Sequence, residues 1–238
     1  MLSILGCPNL PLANTPATTT VPYGQWSEKE VKESESSSSM FSTSRGCLFV
    51  AVKDCGCYEI SLHVLEQYML NNEGTNRKEW TKLRVTKGDS KPISHTKFCL
   101  GVERGFSDPK GIVLRIAEQI NGKDSLTEDK DGIQDIKNCI RLDGQGKYGI
   151  LARGDAQCFL RLPKQGYVDF VWDVSAGYLV LKEAGGEMTD ATGQPIDFSH
   201  IGGKERRAKL PNHVRGIFGS CGGAFHKALV DSYSNVTR

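Results

Sequence analysis

The sequence predicts a layered α/β fold, and three observations carry that expectation. From Lys97 onward, short apolar runs alternate with helical stretches. Ahead of that point, residues 46–62 (GCLFVAVKDCGCYEISL) read as two strands meeting near Lys53–Gly56, where Asp54-Cys-Gly supplies turn character. The chain then closes on one more helical run, GAFHKALVDSY.

Taken in order, residues 1–12 are apolar and residues 13–45 are rich in Thr, Ser, Pro and Glu, including SESSSS. That second stretch has too little apolar surface to order itself and is expected to be a mobile loop. Residues 71–94 are again polar and loop-like. FCLGVE then reads as a strand, GIVLRIAEQI (111–120) as a helix and CIRLD (139–143) as a strand. KYGILARGDA reads as a helix leading into the strand CFLRL (158–162). A helix begun by Asp173 stops at Gly185-Gly186, and short strands follow near Glu187–Thr189 and Gly216–Gly219.

A chain of 238 residues, 38% hydrophobic and 24% charged, has the composition of a globular protein. Its formal net charge of +2 argues against a nucleic-acid binder driven by bulk charge. No apolar run reaches membrane-spanning length. MLSILGCPNLPL lacks a basic leading region and its apolar run ends at Pro8, so it does not read as a secretory signal. The eight cysteines contain no C-x-x-C pair, and Cys55-Gly-Cys57 alone falls short of a zinc site. They read as reduced thiols of a cytoplasmic protein.

The stretch VWDVSAGYLVLKEAGGEMTD (171–190) places Asp173 at the head of a helix. Its plain reading is an N-cap that accepts backbone N–H groups. Ser175, Ala176 and Gly177 make the first turn unusually small, which lets another group approach a helix end that attracts anions. Gly144-Gln-Gly146-Lys-Tyr-Gly149 matches G-x-G-x-x-G, with Asp169 and Asp173 downstream, but it sits too late in the chain to open a dinucleotide-binding unit. Lys147 is either a phosphate contact or a solvated helix lysine. Arg161, a charge inside an apolar strand, must pair or face a cleft. Gly219-Ser-Cys-Gly-Gly is a phosphate cradle or simply the start of a helix, and His226 reads as structural. The KERRAK run (204–209) reads as a solvated loop, and Asp129-Lys-Asp131-Gly132 lacks the ligands of a calcium loop.

Together these pieces resemble a family. WDVSAG followed by EAGG (172–177, 183–186) is similar to the carboxy-terminal signature of the lithium-sensitive, magnesium-dependent inositol monophosphatase superfamily. GCPNLPL (6–12), the LDGQGKY…ARGD…FLRLP block (142–163) and DFSHIGG (197–203) resemble its 3'(2'),5'-bisphosphate nucleotidase branch. The resemblance implies alternating layers of helix and sheet. Residues 1–94 would be the remnant of an antiparallel-sheet domain and 95–238 a carboxy-terminal α/β domain. It also implies removal of the 3'-phosphate of adenosine 3',5'-bisphosphate, or of its sulfated form, with Mg2+ as cofactor. Inositol phosphates are the alternative substrates. Asp173 would be a metal ligand, and Lys147, Arg161 and Asp173 would bind a small nucleotide.

Departures from the pattern carry expectations of their own. The family's other metal carboxylates belong to a Glu-rich segment and a D-P-I-D-G-T motif ahead of the GCPNLPL strand, and neither occurs in this sequence. The chain therefore reads as amino-terminally truncated, and no catalytic residue is assigned. Gly144 stands where the branch has serine, Phe106 where it has histidine, and WDVSAG replaces W-D-H-A-A-G. The serine and histidine losses weaken adenine and ribose-phosphate recognition. Impaired activity, a non-catalytic nucleotide-binding remnant, and self-association through an exposed sheet are the resulting expectations.

Overall fold

The computed structural model describes residues 1–12, 45–71, 77–86, 92–101, 111–128, 130, 132, 134–137, 139–164, 166–198, 209–211 and 214–238. Most of the Ser/Thr-rich loop, Phe106, Asp129, Asp131, and the greater part of DFSHIGG and KERRAK lie outside these residues.

The first sheet is antiparallel, in the order β1 (Leu2–Pro11), β2 (Arg45–Val52), β3 (Gly56–Ser61), β4 (Thr81–Leu83). The β2–β3 turn lies where the sequence places it, with positive φ at Asp54 (64°) and Gly56 (97°). Asp is among the few non-glycine residues that accept this backbone. In β1 the period of two is clean: Ser3, Leu5 and Cys7 are buried, while Leu2 and Ile4 face solvent. Helix α1 (Leu62–Asn71) follows β3 with no connecting loop and packs back on β2 and β3. The sequence pattern does not mark it. Its exposed Met69 and Leu70 blur the apolar stripe that would have marked a helix. The segment 71–94, read as loop, also holds β4, whose single buried residue, Leu83, gives almost no pattern.

The second sheet is mixed. Its order is β10 (Glu187–Thr189), β11 (Ile217–Ser220), β9 (Cys158–Arg161), β5 (Phe98–Leu100), β8 (Ile140–Arg141). β5 runs parallel to β8 and β9, whereas β11 is antiparallel to both β9 and β10. A separate hairpin, β6 (Leu126–Glu128) and β7 (Gln134–Ile136), brackets the segment that resembled a calcium loop. Helix α2 (Ile112–Asn121) packs on the last helix, α5 (Gly223–Thr237), over a core of Phe98, Ile116, Ala117, Phe218, Phe225 and Leu229.

Between the two sheets lie α3 (Gly146–Arg153) and α4 (Ser175–Glu183), which contact each other and β1. Their shared core joins Leu5, Cys7, Cys47 and Phe49 of the first sheet to Ile150, Leu151, Phe159 and Val180. Apolar burial is therefore continuous from sheet to helices to sheet, the arrangement that layered folds use to cover both faces. A buried ion pair crosses the same layer, with Arg153 Nη1 of α3 3.2 Å from Glu59 Oε1 of β3. Neither residue is marked by the local sequence pattern. Among the described residues no helix is long and apolar enough to cross a membrane, and all eight cysteines are free thiols.

Candidate functional site

The α3–α4 layer is held together by glycines. A Cβ on Gly177 would lie 1.8 Å from Tyr148 Cδ2, and one on Gly149 would lie 2.3 Å from Phe49 Cε2. Gly144, with φ +60°, turns the chain into α3. The G-x-G-x-x-G spacing therefore answers the needs of a turn and of close packing. The small first turn of α4 does admit another group, and that group is the Tyr148 ring.

Asp173 does not cap α4, which corrects the plain reading of the sequence. It ends a one-turn 3-10 segment, Val171–Asp173, and Val174 takes the cap position with no side-chain bond. The capping oxygen comes from elsewhere in the chain. Gln145 Oε1 accepts from Gly177 N at 2.8 Å, and Gln145 Nε2 donates to Trp172 O at 2.6 Å. A side-chain amide thereby satisfies one of the open donors of the helix end. Asp173 is left exposed, and among the described residues its carboxylate has no hydrogen-bond or ion-pair partner.

Lys147 is buried, not solvated, at 6% exposure. Its Nζ donates to Gly144 O at 2.6 Å and Leu142 O at 3.4 Å, and stands 4.0 Å from Asp143 Oδ1. Burial lowers its pKa. Arg161 both pairs and faces a cleft. Its Nε donates to Asp169 Oδ1 at 2.6 Å, and its guanidinium lies 5.8 Å from the Tyr167 ring centroid. Burial raises the Asp169 carboxyl above its ordinary range, against the opposing pull of Arg161.

These groups converge. One cleft of about 380 Å³ is lined by Asp143, Gln145, Lys147, Arg161, Tyr167 and Asp173, together with Gly144, Tyr148 and Phe159. All three residues singled out in the sequence meet there, although they span residues 147 to 173. The sequence does not mark Gln145 or Tyr167 as site residues, and it marks Asp169 only as an acid downstream of the glycine motif. The signal available for Asp169 was weak, an acid eight positions beyond an arginine that needed a partner. Gln145 gave none beyond its place between two glycines.

Among the described residues the lining carboxylates are Asp143 and Asp173, and no thiol or imidazole lines the cleft with them. Magnesium takes oxygen ligands, commonly one or two carboxylates completed by water and phosphate. The donor chemistry fits that partial share of a magnesium site. It is not a closed cage, because among the described residues no three His, Cys, Asp or Glu side chains gather around a point.

The other candidates resolve structurally. His226 is buried between Thr189 Oγ1 (2.9 Å from Nε2) and Ser220 Oγ (3.0 Å from Nδ1). In the Gly219–Gly223 run, Cys221 N donates to Gln157 O at the head of β9 and Gly222 N to Ser220 Oγ, so both amides already have partners within the fold. A larger groove of about 620 Å³ lies between the β2–β3 turn, β4 and the start of α5. It holds none of Lys147, Arg161 or Asp173.

Residues 58–220 match the model of the inositol monophosphatase family. The chain belongs to this family. The 3'(2'),5'-bisphosphate nucleotidase of Dictyostelium discoideum is 30% identical over 214 residues, covering 90% of this chain and 46% of that protein. The enzyme of that name from Schizosaccharomyces pombe is 30% identical over 231 residues, covering 96% and 49%. The chain spans about half the length of the curated relatives it matches. Among solved structures of the family, the inositol monophosphatase of Anabaena (Nostoc) sp. PCC 7120 aligns with a TM-score of 0.48 at 15% identity, over 79% of this chain and 54% of that one.

Proposed function

We propose that the cleft binds the phosphate of a small nucleotide in magnesium-dependent removal of the 3'-phosphate from adenosine 3',5'-bisphosphate, leaving AMP, or from its sulfated counterpart. The observation that carries this reading is the convergence of Lys147, Arg161 and Asp173 on one cleft. The names of the relatives at 30% identity support the substrate class.

Lys147 and Arg161 supply positive charge against the phosphate oxygens, and Arg161 is oriented by Asp169. Asp173, and Asp143 beside the Lys147 ammonium, would hold magnesium. When bound, the ion polarises the phosphate and activates the attacking water. The Gln145 and Tyr167 side chains complete the cleft wall.

A second reading is a nucleotide binder with little turnover, favoured by the lack, among the described residues, of any three His, Cys, Asp or Glu side chains gathered at the site. Phosphate release from adenosine 3',5'-bisphosphate with Mg2+, compared with Asp173→Ala, separates the two. Release from the intact chain and loss in the variant support hydrolysis. Magnesium-dependent binding without release supports the second reading. Release from inositol 1-phosphate alone would move the substrate class to inositol phosphates.

We also propose that residues 1–94 and 95–238 act as two domains meeting at the α3–α4 layer. The eight free thiols support a reducing, cytoplasmic setting. Self-association is proposed through β1, the outer strand of its sheet, with Leu2 and Ile4 exposed at 61% and 55%. An open edge with apolar neighbours invites strand addition, and an antiparallel pairing of β1 with a second copy is compatible with two-fold symmetry.

A further inference from the structure

We infer that Gln145 is the positioning residue that holds the Asp173 carboxylate toward the cleft. The inference rests on the reading of Asp173 as a metal ligand, and adds to it the group that fixes where that ligand stands.

The observations are geometric. Asp173 is exposed, and among the described residues its carboxylate has no partner of its own. Its position therefore follows from its backbone. That backbone is gripped on both sides by one amide. Gln145 Nε2 bonds the carbonyl of Trp172, immediately before Asp173, and Gln145 Oε1 takes the N–H of Gly177, four residues after it. Among the described residues no other side chain in the cleft wall spans the turn in this way. Both bonds use groups of fixed polarity, an amide N–H2 to a carbonyl and an amide oxygen to an N–H, so they also fix which way the Gln145 amide faces.

The arrangement also explains why Asp173 is free. An acid at a helix head ordinarily turns back onto the first amides of the helix. Here the Gly177 donor, in the first turn of α4, is already taken. With Gln145 removed, that N–H loses its acceptor four residues after Asp173, and the Asp173 carboxylate is expected to turn inward toward it. Gln145 thus competes with the capping that would withdraw Asp173 from the cleft. The groups that orient a metal ligand typically alter metal affinity by about 10–100-fold when removed.

The test is a Mn2+ titration of the full chain, followed by paramagnetic broadening of the backbone amides of residues 171–177. It is run on the wild type, Asp173→Asn, Gln145→Met and Gln145→Asn. Circular dichroism checks that each is folded at the measuring temperature. Gln145→Asn keeps an amide that is one methylene too short to reach both partners, so it serves if Gln145→Met does not fold. The expected result is saturable broadening in the wild type, its loss in Asp173→Asn, and a midpoint raised about 10–100-fold in the Gln145 variants. A role confined to stability would lower the melting temperature and leave the midpoint of the folded protein unmoved. If Asp173→Asn abolishes broadening while both Gln145 variants titrate like the wild type, the positioning role is wrong and the metal reading of Asp173 stands. If the wild type shows no broadening, or Asp173→Asn retains it, the metal reading fails and the positioning role fails with it.

Discussion

Arg153 Nη1 reaches from the end of α3 to Glu59 Oε1 on β3 at 3.2 Å, and both side chains are only 5% exposed. The same guanidinium bonds Asp155 Oδ2 through Nε at 2.8 Å. This pair ties the first sheet to the helical layer that carries Lys147. Asp155 still compensates Arg153 when Glu59 is removed, but Nη1 loses its buried acceptor, so Glu59→Ala is expected to cost about 1–3 kcal/mol. Denaturant unfolding of the variant against the wild type measures it.

Asp173 is expected to behave in the opposite way. Exposed and unpartnered, its replacement by Asn should change stability by no more than about 0.5 kcal/mol. Magnesium-dependent binding of adenosine 3',5'-bisphosphate, read by calorimetry, should be lost. A large drop in melting temperature would mean that the residue is structural.

Gly177 sets the distance between α3 and α4. With a Cβ only 1.8 Å from Tyr148 Cδ2, Gly177→Ala forces the helices apart and should cost about 1–3 kcal/mol, the range of overpacked cores. Pairing it with Tyr148→Ala should recover part of that loss in a double-mutant cycle, because the clash is shared.

The pH dependence of stability should carry a contribution from His226. Thr189 Oγ1 donates its proton to Asp190 O at 2.7 Å, so it accepts from Nε2 of a neutral ring. Burial lowers the pKa of His226 below its ordinary value of 6.5. The unfolded chain then binds the proton first. This contribution is complete above pH 6.5 and is lost as pH falls from there through the folded-state pKa. The slope is at most about 1.4 kcal/mol per pH unit. Unfolding free energies of the wild type minus those of His226→Gln, measured between pH 7 and pH 5, should show it.

Pairing of β1 between copies should appear as a dimer in sedimentation at micromolar concentration. Ile4→Lys places a charge at the centre of the exposed face opposite Val50 and should give a monomer. A wild type that sediments as a monomer throughout would remove the proposal.

The sequence by itself determined much of this protein. The strands at 46–62, the alternation of strand and helix after Lys97, and the last helix were legible because the periods of two and 3.6 are local properties. The family, too, was legible in WDVSAG, EAGG and the LDGQGKY…FLRLP block. Helix α1 and strand β4 were not, since one exposes part of its apolar surface and the other buries a single residue.

What only the tertiary structure decided is where each candidate residue stands and which groups surround it. Asp173 read locally as a helix cap, and it is free because an amide 28 positions earlier in the chain occupies the Gly177 N–H that a cap would take. Lys147 read as solvated or phosphate-facing, and its Nζ is buried against the carbonyls of Gly144 and Leu142 at the cleft wall. Hydrogen-bonding groups are satisfied by whatever the fold brings within about 3 Å, and sequence order does not encode that distance.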